Sequence, residues 1–222
     1  MRRVISAVAA VSVAVALVAV LVSRAPGGPR SMKEFDAPRM ADLELRMWQA
    51  YYAKERLSLF RLLVTMLHEQ YRYSWAKATR AGFHLARAAA TFGDLTSDYD
   101  IVLPDLEAGY RLAKSWVGAD FDPRAVAQAE LAWWVARRIP GRNSPEQVGD
   151  LIADEYALLY GTPRQVVASA ALLRARAGWL RDRQATQPDW DTIGRLLRQS
   201  YSELFDAVHK PLTAAPVPSA PL

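Results

Sequence analysis

From Asp36 to Tyr73 the apolar positions recur at the spacing of a helix rather than a strand. Leu45, Trp48, Tyr52, Leu59, Leu62, Met66 and Tyr73 fall on one stripe, interrupted by Glu55 and Glu69. A second seam of Ala53, Leu57, Phe60, Val64, Leu67 and Tyr71 lies beside it. Asp36 is placed to cap the start, Pro38 sits in the first turn, and no glycine intervenes. Read as one helix, the stretch would be about 50 Å long, with room for a bend or break. Between Leu57 and Leu67 it would be apolar most of the way round, which predicts the central post of a bundle.

Further along, the chain repeats one start signal. Asp122-Pro123, Ser144-Pro145 and Thr162-Pro163 each set a good capping residue before proline, predicting helices over 123–138, 145–160 and 163–184. Ser74 caps a helix from Trp75 to about Phe92, closed by Gly93. Pro104 starts or kinks another that ends near Gly118, and the last runs from Asp189 to His209 before Pro211. No segment alternates like a strand. The fold class is all-α, a bundle of about seven helices over residues 36–209, with a stack of helical hairpins as the alternative.

The chain opens with Arg2 and Arg3, then runs uncharged and rich in alanine and valine from Val4 to Ser23. Twenty helical residues span about 30 Å, the thickness of a bilayer's hydrocarbon core. That run is longer than a typical signal peptide's, and its cleavage sites are poor, so residues 1–23 read as an uncleaved transmembrane signal anchor. Arg2 and Arg3 would stay in the cytoplasm and place the domain outside, although Arg24, Arg30 and Lys33 weaken that orientation. Residues 24–35 are the linker, and residues 210–222 form a disordered tail rich in proline and alanine.

Composition narrows the chemistry. The 222-residue chain has no cysteine, which excludes disulfides, thiolate metal sites, cysteine nucleophiles and lipoprotein acylation. With Arg2 and Arg3 assigned to the anchor, 26 basic residues face 23 acidic ones, too even a balance to indicate nucleic acid. Dinucleotide, P-loop, nucleophile-elbow and zinc-protease signatures are all missing.

Glu55, Glu69 and Glu130 interrupt apolar helices, the raw material of a di-metal carboxylate site. That site adds Glu-x-x-His on two helices. His68, His84 and His209 follow Thr65, Ala81 and Asp206 at that spacing, so none completes it. The expectation is ion pairs with arginines such as Arg72 or Arg176, or solvent, with no metal and no cofactor.

Two clusters are candidates for binding. Trp133, Trp134, Arg137 and Arg138 place each tryptophan four residues before an arginine, the pattern of a cation–π pair or an interface hot spot. Lys77, Arg80, His84 and Arg87 form a basic stripe that could meet anionic headgroups or simply face water. The sequence therefore points to a single-pass domain anchored through residues 4–23 on the extracytoplasmic side, periplasmic or extracellular. It would be a non-enzymatic interaction or scaffold module for a protein partner, of open oligomeric state, with no nucleic-acid role. Its rivals are a helical enzyme with a carboxylate-based site and a secreted helical ligand-binding domain released by cleavage.

Overall fold

The computed structural model describes residues 22–210. Those residues form eight α-helices and one short 3-10 turn, with no strand among them. The helices are α1 (Ala37–Tyr52), α2 (Arg56–Glu69), α3 (Trp75–Asp94), α4 (Leu103–Val117), α5 (Pro123–Ala136), α6 (Pro145–Tyr160), α7 (Arg164–Arg183) and α8 (Trp190–His209). The 3-10 turn, Tyr99–Val102, leads into α4.

Capping sets most of these boundaries. The side chains of Asp36, Ser74, Asp122, Ser144 and Asp189 each accept a hydrogen bond from a backbone N–H of the first turn. Thr162 does not. The residue before α7 is Pro163, and the Thr162 hydroxyl donates instead to the Tyr160 carbonyl at 3.4 Å. At the far ends of α4 and α6, Gly118 (φ 66°) and Gly161 (φ 59°) take the left-handed conformation that closes a helix.

The expected single helix from Asp36 to Tyr73 is two helices, which brings the number from seven to eight. The chain reverses at Ala53-Lys54-Glu55, where Lys54 adopts φ 58° and the Glu55 N–H bonds to the Ala50 carbonyl. The reversal resets the helical phase. The buried face of α1 is Met40, Ala41, Leu43, Glu44, Met47 and Ala50 rather than the Leu45–Trp48–Tyr52 stripe. Nor is there a central post. Leu57 is 58% exposed, and α1 and α2 are members of a wall.

Each helix packs chiefly on its neighbours in the chain, and α1 packs on α8 to close the circle. Contacts fix the directions. Arg39 of α1 meets Glu69 at the end of α2, Arg56 meets Asp94, and Phe35 lies 5.5 Å from Phe205. The result is an up-and-down ring of eight helices around an axis. At its lower end residues 24–35 cross the opening with Met32 and Phe35 buried, Arg72 donating to the Gly27 carbonyl, and Arg30 over Trp116. Only Val22 and Ser23 of the apolar run 4–23, and only Lys210 of the tail, fall among the described residues. Among those residues no helix is long and apolar enough to cross a membrane.

Small residues set how closely the wall packs. At Gly149 an added Cβ would lie 3.1 Å from the Leu172 Cα, so α6 and α7 touch backbone to side-chain root. Gly149→Val is expected to push them apart at a cost of about 1–3 kcal/mol. Thermal unfolding followed by circular dichroism should then show a melting point lower by roughly 3–10 °C.

Candidate functional site

Helix faces turned toward the axis do not all meet. They enclose a cavity of about 390 Å³ that runs from Met32 near the lower end to Tyr52, Arg137 and Asp182 near the upper one. Every methionine after Met1 (Met32, Met40, Met47 and Met66) lines it, together with Leu63, Leu85, Phe92 and Trp134. A smaller hollow of about 180 Å³ shares Tyr51, Tyr52, Leu59 and Arg138 with it and adds Lys54, Arg56 and Asp94, forming a vestibule at the upper end.

Polar groups converge on one level of this otherwise apolar space. On α5, Glu130, Trp133, Trp134 and Arg137 follow the three- and four-residue spacing of one helix face. Glu155, Tyr156, Leu159 and Tyr160 do the same on α6. Glu44 comes from α1, Tyr110 from α4, Arg174 from α7 and Tyr201 from α8. Gly109 lets α4 approach Leu85 of α3 closely, since a Cβ there would meet that side chain at 2.6 Å.

These groups bond as a network. Arg174 donates to Glu44 Oε1 through Nη2 at 2.5 Å and Nε at 2.9 Å, with its guanidinium 4.7 Å from the Trp133 ring centre. Trp133 Nε1 donates to Glu155 Oε2 at 2.6 Å. The Tyr110 hydroxyl lies 2.9 Å from Glu130 Oε2 and 3.3 Å from Glu155 Oε1. A phenol has one proton to donate, so one carboxyl accepts it while the other, if protonated, donates to the phenol oxygen. Glu130, Tyr110 and Glu155 can thus share a proton.

Electrostatics favours that sharing. Loss of hydration, followed by repulsion from Glu155, raises the pKa of Glu130 from 4.5 to about 8. Burial raises Glu155 too, against the pull of Arg174. Glu130 keeps some exposure, but the space it faces is the cavity. Burial also pushes the Tyr71 phenol up to about 12 and Tyr110, Tyr156 and Tyr201 upward, so these hydroxyls stay neutral.

The first candidate cluster lies along this cavity. Trp133 is buried, and Trp134 is partly buried with its ring 5.1 Å from Phe92. Arg137 donates to Asp182 Oδ2 at 2.9 Å, to the Tyr52 hydroxyl at 2.9 Å and to the Gly178 carbonyl at 3.2 Å. Arg138 donates to the Leu95 carbonyl and sits 3.8 Å over Phe92. Both arginines tie the end of α5 to the rim.

The second cluster lies on the outer side of α3. Lys77 caps the Trp116 ring at 3.9 Å, and Arg80 is exposed. His84 and Arg87 both bind Asp105 of α4. Burial opposes the Asp105 carboxylate, but those two hydrogen bonds outweigh it and hold its pKa below the usual range.

The three glutamates weighed as a metal set are far apart in role. Glu55 is exposed in the α1–α2 turn, Glu69 pairs with Arg39 at 2.9 Å rather than with Arg72 or Arg176, and Glu130 faces the cavity. Among the described residues no group of three or more His, Cys, Asp or Glu is placed to hold a metal ion. Glu44, Tyr110, Glu155 and Tyr156 had no distinguishing signal except their place on buried helix faces. Neither a protein-family model, nor a curated protein, nor a solved structure matches this chain.

Proposed function

We propose that this domain is a receptor for a small, largely apolar molecule held along the axis of the helical ring. One observation carries the reading: an apolar cavity of about 390 Å³ with its polar groups gathered at one inner level and at the rim. Pockets that take small organic ligands have volumes of about 300–1,000 Å³ and the same division between apolar walls and few polar groups. Four methionines on those walls support it further, because flexible thioethers adapt to ligand shape. An interaction module built on Trp133, Trp134, Arg137 and Arg138 is less well supported, since these side chains turn to the cavity and its rim.

In this reading residues 4–23 tether the domain to a membrane on its extracytoplasmic side. The segment 24–35, crossing the lower end with Met32, would leave the vestibule facing away from the bilayer. Binding of 1-octanol tests the reading, using the full chain in lipid nanodiscs with empty discs as the blank. Calorimetry should show saturable one-to-one binding, weakened at least about tenfold by Met47→Trp, which fills the cavity in a protein that still melts cooperatively. Absence of saturable binding, or equal binding by Met47→Trp and a second filled variant, Ala113→Phe, would overturn it.

A further inference from the structure

We propose that the molecule held in this cavity carries a primary ammonium group on an apolar chain, seated at Glu130 and Glu155 beside Glu44 and Tyr156. The inference rests on the ligand-binding reading above and names the chemistry of its ligand. Two observations lead to it.

The first is charge. Arg174 is engaged by Glu44, and Arg137 by Asp182 at the rim. Glu130 and Glu155 face one another across Tyr110, and neither forms an ion pair among the described residues. Arg138, the remaining cation of the lining, is turned to the Leu95 carbonyl and the Tyr51 hydroxyl at the rim, so no cation of the lining pairs with either carboxyl. Repulsion between the two carboxyls and their loss of hydration show in the raised pKa of each.

The second is unmet bonding capacity. Glu44 Oε2 and the Tyr156 hydroxyl are buried without a protein partner, on residues only 3% and 4% exposed, and both residues line the cavity. Both can accept a hydrogen bond. An ammonium brings three N–H donors and a full charge, whereas an alcohol brings one donor and a carboxylate brings none. An anionic ligand would have to displace Glu44 from Arg174 and meet two more carboxyls.

The test compares octylamine, 1-octanol and octanoate by calorimetry at pH 8 on the full chain in nanodiscs, each against empty discs. Octylamine should bind at least about tenfold more tightly than octanol, and octanoate more weakly than either. Glu130→Gln and Glu155→Gln should each lower the affinity for octylamine at least about tenfold more than the affinity for octanol, a contrast that a general loss of structure would not produce. Equal binding of amine and alcohol, or preference for octanoate, overturns the ammonium assignment and leaves the receptor reading standing. Failure of all three to bind overturns both.

Discussion

Arg174→Met is expected to lower the melting temperature by roughly 10 °C or more, the effect of losing about 3–5 kcal/mol in a domain of this size. Arg174 and Glu44 are both deeply buried, their side chains 14% and 4% exposed. Removing the cation leaves the Glu44 carboxylate in a cavity wall with no countercharge. It also removes the one positive group that opposes the rise of Glu155. Methionine keeps the length and apolar stem of arginine, so the loss reports charge and hydrogen bonding more than volume. The double variant Glu44→Leu/Arg174→Met should recover more than half of that loss, since an apolar pair of similar size carries no desolvation penalty. Thermal denaturation of the four proteins in the cycle provides the measurement. A single variant that melts within about 2 °C of wild type would mean that this pair contributes little.

Glu130→Gln should act in the opposite direction. At pH 8 it is expected to raise the melting temperature by roughly 3–8 °C, and at pH 5 to change it little. The unfolded chain releases the Glu130 proton near 4.5, whereas the folded protein keeps it until about 8. Between those values the native state binds more protons, so wild-type stability falls as pH rises, by up to about 1.4 kcal/mol per pH unit. Glutamine keeps an acceptor for the Tyr110 hydroxyl but cannot ionise. Glu155, raised in the same way, and His209, raised by its bond to the Phe205 carbonyl, contribute slopes of the same sign. Because Glu130→Gln also lifts the repulsion on Glu155, the difference between variant and wild type reports the pair. Melting curves between pH 5 and pH 8 that stay parallel in the two proteins would show that Glu130 does not titrate in this window.

Why some of this was legible in the sequence and some was not follows from what each signal reports. Helix starts are local events: Ser144 bonds to the N–H three residues on, and Pro145 follows it directly, so the pair can be read without the fold. The break at Lys54 has no such mark. Ala53-Lys54-Glu55 contains neither glycine nor proline, and a lysine at φ 58° is held there by packing of α1 on α2. Missing it carried the phase of α2 back into α1 and hid the inward position of Glu44 behind Leu45 and Trp48. Glu130 was recognisable as a carboxyl in an apolar helix. Its partners were not, since Tyr110 and Glu155 lie on other helices and meet it only when the ring closes. Periodicity tells which face of a helix avoids water. It does not tell whether that face meets another face or a hollow.

The closure of α1 on α8 has a consequence for the order of the chain itself. Glu34 lies 3.2 Å from His209, and Phe35 meets Phe205 edge to face, so the two edges of the described fold adjoin at the lower end. In a ring whose helices pack chiefly on their two neighbours, the seam between last and first is one junction among equals. Joining those edges and cutting the turn at 184–189 would give a circular permutant with the same neighbours throughout. Geometrically, this architecture has no first helix.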